Sequence, residues 1–257
     1  MAHAPAFVDE PRFINVEAVS YRFDPNQLAL GNVRLTVPRG QFVCLLGPSG
    51  CGKTTLLNLI AGFLVPSDGY IFVNGQVVDG PGPDRGMVFQ DYSLFPWLTV
   101  IQNIEFGLRI AGMKSSERRA RALHYLEMVN LGDIADRYPT QLSGGMKQRV
   151  AIARALAAGP KVLLMDEPFA ALDAMTRSHL QNELIRIHEI ERPTILFVTH
   201  NIDEAIRLAD RVLVMSPNPG RVVSDVLLDM EKPRARTSLE FGQLYDRFER
   251  EIGLESS

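Results

Sequence analysis

The 257 residues, 46% apolar and 22% charged with 20 Gly and 16 Pro, have the make-up of an ordinary folded protein and exclude a disordered or collagen-like chain. Lys plus Arg number 27 against 30 Asp plus Glu, and the resulting net charge of −3 offers no global basic field for a phosphate backbone, so no nucleic-acid partner is expected. The longest uncharged stretch, Thr54 to Ser67, is shorter than the ~20 residues a membrane span needs.

Met1 to Pro11 carries neither a basic region nor an apolar run of signal-peptide length, which points to a cytosolic chain. Cys44 and Cys51 are too few for a disulfide framework or a four-ligand zinc site and read as reduced bystanders. No repeat or Gly/Ser-rich linker divides the sequence. One composite domain over 13–232 is expected, between an N-terminal extension at 1–12 and a helical tail at 233–257.

In chain order, the first third predicts strands at Phe13 to Tyr21, Val33 to Val37, Gln41 to Leu46, Tyr70 to Val73 and Met87 to Phe89, with Gly, Pro, Asn and Asp turns between them. The strand ending at Leu46 runs into Gly47-Pro48-Ser49-Gly50-Cys51-Gly52-Lys53-Thr54, followed by an apolar helical run from Thr55 to Phe63. This is the P-loop pattern in its required setting. Small residues let successive N–H groups cradle phosphate, the helix N-terminus adds its positive end, Lys53 reaches the β- and γ-phosphates, and Thr54 offers a hydroxyl to Mg²⁺.

From Ser115 the pattern turns helical. Ser115 or Ser116 is placed to cap a helix over Glu117 to Val129, with Ala120, Leu123, Leu126 and Val129 on one face and Arg118, Arg119 and Arg121 on its solvated face. Ser143, Gly144 and Gly145 precede the helix Val150 to Ala158 and make a second anion-binding corner. The apolar run Val162 to Met165 then delivers Asp166 and Glu167 at a strand end, where parallel sheets bind ligands; Asp166 can hold Mg²⁺ through a water, and Glu167 can act as general base. Further runs at Thr194 to Val198, Arg211 to Met215 and Val222 to Leu228 alternate with helical stretches, as in a mainly parallel sheet. Thr237 and Glu240 have capping-box spacing for a last helix that repeats Leu244, Phe248 and Ile252.

With Leu142-Ser143-Gly144-Gly145-Met146 between the P-loop and the acidic strand end, the chain resembles the ATP-binding-cassette ATPases, departing at Met146 where that family usually has Gln. The resemblance spans about residues 13 to 230 and implies an α/β P-loop fold: a mainly parallel core sheet, an N-terminal antiparallel β part, and an inserted helical subdomain at about 91–158. It implies ATP and Mg²⁺ as cofactors, with Gly47 to Thr55 and Ser143 to Gly145 on the nucleotide. Phe23 resembles the aromatic that stacks on adenine, with Tyr21 as the alternative. Gln90 is similar to the glutamine that contacts Mg²⁺ and the attacking water, Asp173 to the aspartate of a loop that crosses to the opposite subunit, and His200 to the switch histidine on the γ-phosphate.

The implied working unit is a head-to-tail dimer of ATPase subunits, peripheral on the cytoplasmic face of a membrane, with permease subunits and a solute-binding protein as partners. Phe95-Pro96-Trp97-Leu98-Thr99, the signature ending in Met146 and Phe169 to Asp173 resemble the nitrate, sulfonate and taurine importer ATPases. Phe95 and Trp97 have two open readings, core filling or docking on the membrane partner. Two alternatives stand beside import: the same ATPase serving another membrane partner, and a P-loop ATPase unconnected with transport. With a single P-loop and signature, and with Ser257 soon after the expected ATPase body, neither a two-cassette chain nor a long regulatory domain is expected.

Overall fold

The computed structural model describes residues 12–253. Met1 to Pro11, and with it the reading of the N-terminus, and residues 254–257 of the expected tail lie outside the described residues. Along the chain run β1 (Arg12–Asp24), β2 (Gln27–Pro38), β3 (Phe42–Leu46), α1 (Lys53–Ala61), β4 (Asp68–Val73), β5 (Gln76–Val77), β6 (Arg85–Val88), α2 (Val100–Ile110), α3 (Ser115–Met128) and α4 (Gly144–Ala157). Then come β7 (Val162–Asp166), α5 (Ala174–Glu191), β8 (Thr194–Thr199), α6 (Ile202–Leu208), β9 (Arg211–Ser216), β10 (Arg221–Leu227) and α7 (Leu239–Gly253). The described residues form two compact units, one of residues 12–82 with 193–253 and one of residues 83–192.

In the first unit β1 pairs antiparallel with both β2 and β4, and β5 extends that sheet. The β1–β2 turn closes where the Asp24 carboxylate accepts from the Asn26 N–H at 2.8 Å, an Asx turn. β3 lies between β8 and β9, parallel to both, and β10 returns antiparallel on β9. Every residue of β3 and β8 is buried, the mark of parallel strands covered on both faces. The tail is strapped down by Arg234, whose guanidinium donates to the carbonyls of Ile206, Ala209, Leu228 and Met230. Phe241, Leu244, Phe248 and Ile252 then turn one face of α7 inward, in the expected register. The expected Thr237 cap moves one residue on: the Ser238 hydroxyl accepts from the Phe241 N–H at 3.2 Å.

In the second unit β6 pairs parallel with β7, from Arg85 opposite Val162 to Val88 opposite Met165, and α4 packs against α2, α3 and α5. The strand expected to reach Phe89 stops at Val88 and puts Gln90 in the turn beyond it. Three expectations for α3 are corrected. The residue before its first turn is Lys114, with no side-chain cap, so neither Ser115 nor Ser116 caps it. Of the expected face, Leu126 and Val129 are buried, but Ala120 is exposed and Leu123 only half-buried; Ala122 and Tyr125 take their places. Its arginines are not a solvated face, because Arg118 and Arg119 lie 3.6 and 3.9 Å from Glu105 of α2. An ion pair between neighbouring helices meets the charge of Glu105 that water would otherwise have to solvate.

The parallel strands with intervening helices, the N-terminal antiparallel sheet and the α2–α4 helices match the expected α/β class.

Candidate nucleotide site and docking segment

β3 ends inside the core and releases the chain at Gly47, and six residues later α1 begins at Lys53. Gly52 precedes the helix at φ 93°, a left-handed conformation, and a Cβ there would come within 2.5 Å of the Leu30 side chain, so only glycine fits on both counts. No side chain caps α1, which leaves its first N–H groups for an anion. Lys53 is buried, and its ammonium folds back to donate to the carbonyls of Gly47 and Pro48, each at 2.8 Å, with the Cys51 sulfur 3.7 Å away. A charged group beside a glycine-rich loop and an uncapped helix N-terminus is suited to hold phosphate. Burial pushes the Cys51 thiol above its ordinary value, against the pull of Lys53, so the sulfur stays protonated at neutral pH as a bystander should.

In the same unit His200 sits exposed in a bend just after β8. The next residue fixes that bend: the Asn201 side chain caps α6 by accepting from Glu204 N, while its own N–H donates to Thr199 Oγ1 at 3.0 Å. Phe23, near the end of β1, is 59% exposed and packs edge to face with Tyr21 at 5.1 Å between ring centroids. Both aromatic candidates for a base platform therefore stand together.

In the second unit, Asp166 is the last residue of β7 and Glu167 follows at φ 42°, a left-handed conformation rare for a residue with a side chain. Asp173 caps α5, its Oδ1 accepting from Met175 N and Thr176 N at 3.1 and 3.0 Å, and these bonds, the Thr176 one first, lower its pKa. The carboxylate assigned to nucleotide binding thus serves as a helix cap here. Ser143 caps α4 by accepting from the Met146 N–H. That bond uses the backbone of Met146, so the departure from Gln at this position leaves the cap intact. A Cβ on Gly145 would collide with the Thr176 side chain, which fixes glycine where the corner meets the first turn of α5.

Gln90 is exposed and opens the segment that carries the aromatics. Trp97 is 70% exposed, which decides against a core role; Phe95 is half-buried, 4.5 Å from the Phe106 ring and 5.6 Å from Trp97. Thr99 and Gln102 form a capping box at the start of α2. Fully buried Asn103 accepts from Phe95 N and donates to the carbonyls of Phe95, Leu98 and Thr99 at 2.8 to 3.1 Å. The sequence reading missed Asn103. Its signal was an amide on the apolar face set by Val100, Ile104 and Leu108, a place that demands hydrogen bonds.

The ABC transporter family profile matches residues 30–170, from within β2 through the acidic strand end. The chain belongs to the ATP-binding-cassette ATPases. The nitrate import ATP-binding protein NrtD of Synechocystis sp. is 52% identical to this ATPase over 214 residues, 82% of the chain and 80% of the relative. The taurine import ATP-binding protein TauB of Rhizobium johnstonii is 53% identical over 209 residues, 81% and 80% of the two chains. A dimeric post-hydrolysis structure of the ATP-binding cassette MJ0796, bound to ADP and Pi, superposes with a TM-score of 0.75 at 35% identity, covering 85% of this chain and all of that one. Among the described residues no helix is long and apolar enough to cross a membrane.

Proposed function

We propose that this ATPase is the peripheral subunit of an importer, coupling ATP binding and hydrolysis to uptake of a small anion of the sulfonate, taurine or nitrate kind from the cytoplasmic face of a membrane. The observation that carries the coupling is Trp97, a large aromatic left 70% exposed on a segment whose backbone is tied down by buried Asn103. An aromatic held rigid at the surface suits a protein interface better than solvent. Half-identity over most of both chains with nitrate and taurine import subunits supports the solute class. On this reading residues 13–232 are the ATP-binding domain, with 91–158 as its helical subdomain.

Gly47 to Thr55 hold the phosphates, with Lys53 turning from its two carbonyls to the γ-phosphate, and Phe23 or Tyr21 stacks on adenine. Thr54, Gln90 and Asp166 are oxygen donors of the kind Mg²⁺ prefers, and phosphate and water complete its shell; no group of three or more His, Cys, Asp and Glu that could hold a metal ion occurs among the described residues, and none is needed. Bound with the nucleotide, the ion neutralises phosphate charge. Glu167 accepts the proton of the attacking water, Gln90 orients that water, and His200 bonds the γ-phosphate. Ser143 to Gly145 receive the phosphates of the nucleotide on a second subunit across a head-to-tail dimer, and Asp173 faces the same junction. Permease subunits and a solute-binding protein complete the assembly.

Affinity purification from detergent-solubilised membranes tests the reading. Integral permease subunits should come with the ATPase, and nitrate or taurine uptake should depend on it. A chain that brings no integral protein and is stimulated by nucleic acid would overturn it.

A further inference from the structure

The aromatic segment is fastened to α4 at two places, one at the signature corner and one, at Arg154, outside any recognised motif. After Gln90 the backbone takes two consecutive left-handed residues, Tyr92 at φ 60° and Ser93 at φ 48°. Neither is glycine, so the conformation costs energy, and it is supported by the turn's own bonds from Tyr92 N to the Phe89 carbonyl and Ser93 N to the Asp91 carbonyl and by one hold from outside. That hold is Arg154, in the last turn of α4: its guanidinium donates through Nη1 to the Ser93 carbonyl at 2.6 Å and through Nη2 to the Tyr92 carbonyl at 3.0 Å. The same guanidinium lies 5.8 Å from the centre of the Phe95 ring, which in turn touches Trp97. At the other end of α4, the Tyr92 hydroxyl lies 3.1 Å from where a Cβ on Gly144 would stand, so its ring rests on the first residue of the helix. Ten residues separate these fastenings, about 15 Å of helix. One rigid rod therefore meets the aromatic segment both at the phosphate corner and at its far end.

We propose that Arg154 is the positioning residue that transmits closure of the Ser143-Gly144-Gly145 corner on nucleotide to Phe95 and Trp97, through the Tyr92–Ser93 turn it clamps. The inference rests on the corner's receiving nucleotide in a dimer. Only a planar fork bonds two adjacent carbonyls while keeping a face toward an aromatic ring, and lysine supplies a single mobile point charge. Burial lowers the pKa of Arg154 from its ordinary value, yet a guanidinium stays charged at any working pH.

Trp97 is the only tryptophan of the chain, so its fluorescence reads the segment directly. The test uses the full chain carrying Glu167→Gln, which holds ATP without turnover, and records dimer formation by size exclusion and Trp97 emission with acrylamide quenching, before and after Mg-ATP. Glu167→Gln alone should dimerise and change its emission. Adding Arg154→Gln should leave dimer formation in place and cut the emission change by more than about twofold, with Arg154→Lys in between. An unaltered emission change in Arg154→Gln overturns the proposal, as does a Glu167→Gln dimer with no change at Trp97. Absence of any ATP-dependent dimer overturns the dimer reading as well, so the two failures are told apart. Should Arg154→Gln not fold, Tyr92→Phe removes only the hydroxyl against Gly144; a smaller emission change is expected, and an unchanged one sinks the proposal.

Discussion

The loop from Gly47 to Gly52 and the loop from Gln90 to Thr99 each carry a strand into a helix, and they are held by different means. In the first, the fastening comes from the loop and the residue that directly follows it: Lys53 bonds the carbonyls of Gly47 and Pro48, and glycine conformation shapes the entry to α1. In the second it comes from residues further along the chain, Asn103 in α2 and Arg154 in α4, acting on backbone carbonyls. A self-contained cradle serves a ligand that is the same in every cycle. A loop tied from outside can respond to what its anchors respond to, and it leaves Trp97 free for a partner.

That contrast can be broken from either side. The largest effect belongs to the chemistry: Glu167→Gln keeps side-chain size and removes the base, so ATP turnover should fall about 10²–10⁴-fold with nucleotide still bound, measured as phosphate release and by equilibrium binding. Near-native turnover would remove Glu167 from its role. Next is the outer anchor. Asn103→Ala strips one bond donated by, and three bonds accepted by, the aromatic segment's backbone, and should cost about 2–3 kcal/mol in urea unfolding, since buried groups lose their partners. A loss within about 0.5 kcal/mol would mean that the segment is held elsewhere.

Lys53→Ala acts on the self-contained loop. A charge-assisted contact is worth about 1.5–3 kcal/mol, so ATP affinity should weaken about 10- to 100-fold in a calorimetric titration. Unchanged affinity would show that the backbone amides alone carry the binding. Phe23→Ala should raise the ATP dissociation constant by an amount in the range of about 1–3 kcal/mol, with GTP affected alike because stacking reads a ring face. A loss confined to Tyr21→Ala would move the platform to Tyr21.

The same contrast explains what the sequence disclosed. The P-loop was legible because its chemistry lies in eight adjacent residues between an apolar strand and an apolar helical run, and the signature corner because Ser143 caps the helix that directly follows it. β3, β7 and β8 were legible because strands buried on both faces are continuous apolar runs. Arg154 was not, since its partners lie 61 and 62 residues away and an arginine in a helix looks like any solvated one. The α3 arginines misled for that reason too: Glu105, their partner, stands on another helix. The expected stripe held at Leu126 and Val129 but failed at Ala120 and Leu123, because α3 offers apolar residues at Ala120, Ala122, Leu123 and Tyr125 and it took packing to select Ala122 and Tyr125. Both helix caps were misplaced by a residue or more because serines and threonines cluster at those entries.

The central claim, that this ATPase keeps its chemistry in the self-fastened loop and offers Trp97 to a membrane partner, is tested most directly by Trp97→Ala. Denaturant unfolding of the purified subunit is measured beside its co-purification with integral protein from membranes. A side chain 70% exposed leaves no large cavity, so stability should stay within about 1 kcal/mol of native while the membrane protein is lost. A subunit destabilised by about 3–5 kcal/mol, the cost of emptying a core site, or one that keeps its membrane protein at the native level, would contradict the account.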